Sequence, residues 1–376
     1  MSDVKKVLIV GGGIGGLAAA IALQKKGIKA EIVELQKEWN VYGVGIILQS
    51  NALRAIDELG LTEEFLASGT TGSFLHIRDS QGNMIFEAPT PSSGKFNKTG
   101  GIPRRVLHQI LYNAAIQLGT KIRMGTTVEV IKNIDNGVYV ELTDGTSGTY
   151  DLLIGADGVK SKVRKLVFGD IEPVFVGQAV WRYSLNRPKE VENIIMFYGQ
   201  KAKAGIIPMT KDSVYIFIVT AEPGNPRKPE DQLHILMREA FKEFGGLIAE
   251  LSEQISDPKE VIYRPLETLL VENPWYRGRI LLIGDSAHAT VPHLAQGAAI
   301  AIEDGLVLGQ LLQQDLPVED ILKKFMNRRF DRCKFVVENS NTLVKWELLQ
   351  LEGKLPKGNE PNAIVAQSLM KMTEPI

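Results

Sequence analysis

The sequence predicts an α/β fold: a parallel sheet, a second and mainly antiparallel sheet, and helices toward the C-terminal end. Three observations carry this reading. Residues 4–10 (VKKVLIV), a glycine turn, an apolar helical run over 14–26 and a strand-like run over 30–34 make one βαβ unit of about 30 residues. Two further buried runs, DLLIG at 151–155 and RILLIG at 279–284, end on glycine in the same format. From about 172 to 270, short alternating runs such as 193–198, 204–208 and 214–220 are bounded by Pro, Gly, Lys and Asp, the pattern of antiparallel strands.

The remaining elements follow in order. Apolar spacing predicts helices over 51–60 and 104–118, and alternation with turn signals over 121–142 predicts an antiparallel excursion. One helical insert falls near 229–243, and further helices near 297–314 and 318–350. The last 25 residues are polar, hold three prolines and read as a loosely held tail. With roughly 100–200 residues per domain, the 376 residues divide into a discontinuous nucleotide-binding domain (1–171 and 271–350), a substrate domain (172–270) and a tail (351–376).

Composition narrows the function. Apolar residues make up 44% and charged residues 23%, and Lys+Arg 43 against Asp+Glu 44 leaves a formal charge of -1. This balance calls for neither nucleic acid nor an anionic membrane as partner. A single cysteine, Cys333, excludes an internal disulfide, and no His/Cys cluster offers metal-ligand spacing. The first apolar run meets glycine too soon for a signal peptide, and no run reaches the roughly 20 residues of a bilayer span. A cytoplasmic, reducing location is expected.

Gly11-x-Gly13-x-x-Gly16 follows a strand and opens a helix. The first glycine turns tightly, the second lets backbone approach a pyrophosphate, and the third packs helix on strand. Ile14 and Gly15 open that helix, whose free N–H groups and positive dipole end suit phosphates. Glu34, closing the second strand, suits a ribose 2′-OH and repels a 2′-phosphate, so the bound dinucleotide is FAD or NAD. The second glycine-ended strand leads into Gly155-Ala156-Asp157-Gly158, then Ser161 and Arg164. The third leads into Gly284-Asp285-Ser286-Ala287-His288, then Pro292, Gln296 and Gly297. Either Asp157 or Asp285 reaches a ligand at the strand ends or caps the helix after it.

Together these segments resemble the FAD-dependent aromatic hydroxylases, the single-component flavoprotein monooxygenases of the para-hydroxybenzoate hydroxylase fold. The salicylate hydroxylase-like and the 6-hydroxynicotinate or urate hydroxylase-like members have the most similar format, and the resemblance spans about 4–340. It implies a Rossmann-like FAD-binding domain whose ADP fingerprint is Gly11, Gly13, Gly16 and Glu34. It implies Arg104, with Arg105 as the alternative, on the FAD diphosphate or ribityl chain, and Asp157 with Gly158 on FAD and the nicotinamide cofactor. Asp285 is implied on the ribityl chain. Pro292, Gln296, Gly297 and Ala298 are implied beside the isoalloxazine ring, and Gly43-x-Gly45-Ile46 along its edge. The family usually has Gly where this chain has Ala295. The helix opened by Gly297 and Ala298 offers N–H groups to negative charge on the reduced ring.

The implied activity is hydroxylation of an aromatic or heteroaromatic small molecule by NADH or NADPH and O2, through a flavin C4a-hydroperoxide held in a dry pocket. Candidate wall residues are Met196, Tyr198, Ile206, Pro208, Tyr215 and Phe217, with ordinary core packing as the alternative for each. The Trp181-Arg182 pair resembles one in salicylate-type relatives. Arg182 is a candidate for a substrate carboxylate, against a role in a salt bridge. His293 is a candidate hydrogen-bond partner or general base, against a structural role, and His288 reads as structural. An FAD oxidase or dehydrogenase, and a flavin-binding redox sensor, remain as alternatives. The halogenase signature WxWxIP is absent. A monomer or homodimer is expected.

Overall fold

The computed structural model describes residues 3–40, 43–359 and 361–376. Its helices are α1 (Ile14–Gln24), α2 (Ser50–Glu58), α3 (Thr62–Ser68), α4 (Arg104–Gln117), α5 (Lys162–Phe168), α6 (Leu233–Phe241), α7 (Gly246–Ser252), α8 (Asp285–His288), α9 (Gly297–Leu311), α10 (Val318–Leu351) and α11 (Pro361–Met372). The first sheet runs Tyr276–Arg277, Ile280–Leu282, Leu152–Gly155, Lys6–Val10, Lys29–Glu34 and Lys121–Met124, all parallel except the outermost pair at 276–282. The three glycine-ended strands, far apart in sequence, are therefore neighbours. Their β-branched and leucine side chains are buried on both faces, as a covered parallel sheet requires.

Lys121–Met124 was expected in an antiparallel excursion but closes the edge of the parallel sheet. Only Val128–Ile134, Gly137–Leu142 and Ser147–Tyr150 form the antiparallel three-stranded unit. The large second sheet has seven strands, in the order Ile262–Thr268, Val174–Asn186, Ser213–Ala221, Lys203–Pro208, Ile194–Tyr198, Phe74–Asp79 and Met84–Pro89. It is thus wider than the expected 172–270 segment. The hairpin at 74–89 comes from the N-terminal part of the chain and joins Ile194–Tyr198 in parallel. The expected tail also differs: 361–372 is α11, and Arg332 holds its Met372 carbonyl at 2.8 Å.

One face of the seven-stranded sheet packs Trp181, Tyr183, Phe197, Ile206, Ile216 and Ile218 against α6 and α7. The other face turns Ile194, Met196, Ile207, Tyr215 and Phe217 toward Val44 and Ile47 of the nucleotide-binding side. Strand alternation makes these two sets disjoint. Helix α1, rich in alanine and buried over most of its length, lies against α9. Their close approach rests on small residues: a Cβ on Gly305 would stand 2.6 Å from the Ala19 nitrogen. Gly305→Ala should therefore destabilise the fold by about 1–3 kcal/mol. Urea unfolding should show a lower midpoint at unchanged slope.

Candidate cofactor and substrate site

The carboxyl ends of four neighbouring strands are stitched side by side: Gly11 N donates to Val33 O (2.8 Å), Ala156 N to Val10 O (2.8 Å) and Ile283 N to Gly155 O (3.0 Å). The glycine loop has the geometry its spacing predicts. Gly11 has φ +105° and a Cβ there would lie 2.3 Å from Ala156 O; a Cβ on Gly16 would lie 2.0 Å from Gly11 O. At Gly13 nothing stands within 4 Å, leaving its backbone open to a close-approaching ligand. No side chain caps the first turn of α1, so the N–H groups around Ile14 and Gly15 keep their donor capacity. Glu34 is held beside this loop by Gly12 N and Gln36 N, both at 2.9 Å. Beneath the loop, His108 Nε2 meets Gly12 O at 2.8 Å and Trp39 stacks on His108 at 4.5 Å. Sequence reading gave neither residue a role, and only their fit under Gly12 reveals one.

Asp157 departs from its expected role. One carboxylate oxygen accepts from Ser161 Oγ (2.5 Å) and Ser286 Oγ (3.3 Å), the other from Lys162 N (2.7 Å) and Val163 N (3.0 Å). Four donors occupy the four acceptor positions of a carboxylate, so the side chain caps α5 and has none left for a cofactor. Ser286 Oγ also accepts from Gly158 N at 3.0 Å, and Arg164 donates to Ser286 O at 3.0 Å. The second and third motifs thus brace each other.

Asp285 behaves differently. Its side chain is exposed to solvent at the end of the third glycine-ended strand, and no hydrogen bond to it is formed among the described residues. Loss of water pushes its carboxyl up, opposed by the charges of Arg104 and His288. Arg104 opens α4, and a Cβ on Gly43 would stand 3.3 Å from its Cδ. The same Arg104 acts on Arg182, which lies on the second sheet. Burial lowers the Arg182 guanidinium, the Tyr215 hydroxyl raises it, and Arg104 and Arg264 lower it again. Arg182 hydrogen-bonds Tyr215, whose own hydroxyl burial pushes up to about 12. No carboxylate among the described residues pairs with Arg182, so the expected alternative, a salt bridge, is not what it makes. Arg104 therefore links the cofactor strip to the second sheet.

Gly45 faces the same cleft: a Cβ there would stand 2.5 Å from Met209 Sδ and 2.7 Å from Tyr215 Cδ1. Ile46, next along the strand, is half-buried against the main core. Met196, Tyr215 and Phe217 lie on the cleft-facing side of the sheet, and Tyr198 shares their face by alternation. Ile206 does not: it is fully buried on the opposite face under α6 and α7. Pro208 shares the parity of Ile206, and its carbonyl lies where a Cβ on Gly101 would touch it at 2.0 Å. Both leave the candidate pocket for the core.

The loop before α9 is a 3-10 turn, Pro292–Leu294, followed by Ala295 at φ +51°. This left-handed conformation explains why glycine suits position 295. Gln296 is not aimed at a cofactor: its amide exchanges hydrogen bonds with Asn51 (2.9 and 3.2 Å) and meets Gln49 at 3.3 Å. The side chain fixes the loop, and what α9 presents outward is the uncapped backbone at half-buried Gly297 and Ala298. His293 sits with its side chain wholly buried, its Nε2 3.0 Å from Glu347 Oε2.

Below this loop lies a buried ionic cluster. Asp304 accepts from Arg329 Nε (2.7 Å) and Gly284 N (2.9 Å) and meets His288 Nε2 (2.7 Å). Glu303 accepts from Arg329 and Arg332, each at 2.8 Å, and from Asn51 at 3.2 Å. Burial opposes the charge on both acids, but His288 and Arg329 at Asp304, and Arg329 and Arg332 at Glu303, hold both carboxyls low. The ligand-capable atoms of His288, Asp304 and Cys333 also lie within 4.8 Å of one another. That proximity was not expected from spacing, since the three are scattered along the chain. The Arg329 guanidinium occupies the cationic place there, donating to Asp304 and, at 3.4 Å, to Cys333 Sγ.

An open Gly13, a steadied Glu34, two uncapped helix starts and an exposed Asp285 with no hydrogen-bond partner among the described residues fit a dinucleotide laid across the strand ends, so the class is a dinucleotide-binding flavoprotein fold. A family described as an FAD binding domain matches residues 5–340. The putative FAD-dependent monooxygenase YetM of Bacillus subtilis is 32% identical over 348 residues, covering 92% of this chain and 94% of that protein. A 2-heptyl-3-hydroxy-4(1H)-quinolone synthase of Pseudomonas aeruginosa is 31% identical, covering 91% of this chain and 90% of its own. The crystal structure of Klebsiella pneumoniae HpxO with FAD and uric acid superposes with TM-score 0.83 at 23% identity, over 99% of this chain and 97% of that one. The chain belongs to the FAD-dependent aromatic hydroxylase family of flavoprotein monooxygenases, and it binds FAD. No helix among the described residues is long and apolar enough to cross a membrane.

Two outcomes follow from this geometry. Asp285→Ala should lower FAD affinity roughly 10-fold or more, the loss of a charge-assisted hydrogen bond of about 1.5–3 kcal/mol, as read by flavin fluorescence titration. Full retention of flavin would contradict its role. The second concerns His288. Burial disfavours its charge, but Cys333 and Asp304 outweigh burial and raise it well above the ordinary 6.5. Its stabilising effect is then complete below that ordinary value and is lost as pH rises through the raised one. The alkaline decline in Tm should be flatter in His288→Asn than in the parent.

Proposed function

We propose that this monooxygenase hydroxylates an aromatic or heteroaromatic ring bearing an anionic oxygen, with NADH or NADPH as electron donor. The observation that carries the substrate class is Arg182: a desolvated guanidinium, steadied by the Tyr215 hydroxyl and repelled by Arg104 and Arg264, with no carboxylate paired to it among the described residues. A buried cation in that position gains most from an incoming carboxylate or ring oxyanion. Met196, Tyr215 and Phe217 supply apolar and aromatic walls for the ring, and exclusion of water by these walls protects the reaction from wasteful side paths.

Bound FAD supplies the redox chemistry, accepting hydride and activating O2. The chain's own tasks are to hold and orient. Gly11–Gly16 and Glu34 take the adenosine diphosphate end, while Asp285 and Arg104 take the ribityl and phosphate middle. The uncapped backbone of Gly297 and Ala298 at the start of α9 would offer N–H groups and a positive dipole end to negative charge on the reduced ring. The single cysteine is buried, which fits a reducing cytoplasm where reduced nicotinamide is at hand.

The test is oxidation of NADH and of NADPH by the purified protein, with oxygen uptake and peroxide followed across phenols, aromatic acids, indoles and quinolones. Stimulated oxidation with little peroxide for an anionic ring supports the proposal. A compound that bleaches the flavin without air or nicotinamide would instead make the protein an oxidase or dehydrogenase. In Arg182→Met, KM for a carboxylate-bearing substrate should rise by roughly 10–100-fold, far more than for a neutral one. Equal effects on both would remove Arg182 from the anion site.

A further inference from the structure

Ile262–Thr268 is the last strand of the seven-stranded sheet, and beside it lies a cavity of about 590 Å³. The loop over 225–230, the turn at 258–259 and the strand itself line it. Four cations stand in its wall, Arg227, Lys228, Lys259 and Arg264, against one carboxylate, Glu230. In the whole chain 43 cations meet 44 acids, so this excess is local. Lys228 is held by Glu222 at 2.7 Å and lies over the Trp181 ring at 6.0 Å. Trp181 in turn backs Tyr263, with ring centres 4.3 Å apart, and donates to Thr220 Oγ1 at 2.9 Å. The cavity therefore has an aromatic wall fixed from behind. Arg227 and Lys259 are exposed, and neither side chain has a hydrogen bond or ion pair among the described residues. Cations gathered around one hollow draw in an anion of several charges.

Strand pairing sets this cavity beside the cleft. Ile262 stands directly opposite Arg182, and Arg264 opposite Val180. Arg264 is thus a diagonal neighbour of Arg182 on the same face, and its charge is felt there. By alternation Trp181 and Arg182 point opposite ways, one behind the cavity and the other into the cleft. Two residues beyond Arg264, Leu266 shares its face and belongs to one apolar cluster with Val291, which precedes the 3-10 turn leading to α9. That step along the strand is roughly 7 Å. A ligand seated in the cavity lies within the length of an extended dinucleotide from the loop before α9.

We propose that this cavity holds the adenosine diphosphate end of the nicotinamide donor, with Arg227 and Lys259 on its phosphates and its base against Tyr263. This rests on the hydroxylase reading above and adds to it the place where the donor docks, apart from the FAD fingerprint at Gly11–Gly16. A small aromatic acid brings one charge and fills a fraction of the volume. A nucleotide diphosphate brings several charges and a flat base, which matches separated cations beside an aromatic wall.

The probe is ADP-ribose, which carries the donor's adenosine and diphosphate but has no hydride to give. Its binding to FAD-loaded enzyme is measured by calorimetry for the parent, for Arg227→Gln with Lys259→Gln, and for Arg227→Glu. Affinity should fall roughly 10-fold or more in the double variant and further in the charge reversal. FAD affinity and the KM for the aromatic substrate should keep their parent values, while the KM for the nicotinamide donor rises with the loss of ADP-ribose binding. In the parent that KM should climb with salt, and in the double variant much less. Unchanged ADP-ribose affinity, or a rise in KM for the aromatic compound instead of the donor, would overturn the proposal. So would loss of inorganic phosphate binding with ADP-ribose binding intact, the mark of a simple anion site. Absence of any nicotinamide oxidation stimulated by an aromatic compound would overturn the hydroxylase reading, while the ADP-ribose titration still decided what the cavity binds.

Discussion

Two adjacent buried acids, Glu303 and Asp304, and the arginine between them organise this molecule. Asp304 ties the third glycine-ended strand, through Gly284 N and His288, to Arg329 on α10. Glu303 ties Arg329 and Arg332 to Asn51, which grips Gln296 in the loop before α9. Burying such charges is expensive, and replacing a whole buried ion pair by apolar groups is often neutral for stability. Removing one partner is another matter, since it strands a buried charge at a cost of about 3–5 kcal/mol. What the cluster gives in return is register: Asp285 and the first turn of α9 are held relative to one another by the same two side chains.

That arrangement explains how a shallow set of strand ends becomes a site with two sides. The glycine loop, Glu34 and Asp285 lie along the parallel sheet, and Arg182, Tyr215, Met196 and Phe217 lie on the facing sheet. Arg104 influences both Asp285 and Arg182. The cleft thus concentrates positive charge on the side of the seven-stranded sheet, while Asp285 on the parallel-sheet side has no hydrogen-bond partner among the described residues.

Much of this was legible in the sequence wherever the signal is local. A short β-branched run, a glycine and an amphipathic or alanine-rich run specify strand, turn and helix, and the three glycine-ended strands were placed correctly. The capping alternative for Asp157 was also legible, because Ser161 and the helix that follows lie within a few residues. Non-local pairing was not legible. Nothing around 74–89 says that it joins a strand at 194–198, nor that 121–124 prefers the parallel edge, because such pairings depend on loop closure and on the rest of the sheet. Strand alternation showed that Ile206 and Tyr215 face opposite ways only once their register was known. Glu347 carried no signal, being 144 residues from Lys203 and 54 from His293. Glu303 and Asp304 did carry one: two acids inside an otherwise apolar helix require buried cations.

The most direct test of the whole account follows the oxygen. Turnover under labelled O2 with an anionic aromatic substrate and reduced nicotinamide should place one labelled oxygen atom in the ring product. Product formed without label, or with oxygen drawn from water, would contradict the assignment of this cleft to aromatic hydroxylation.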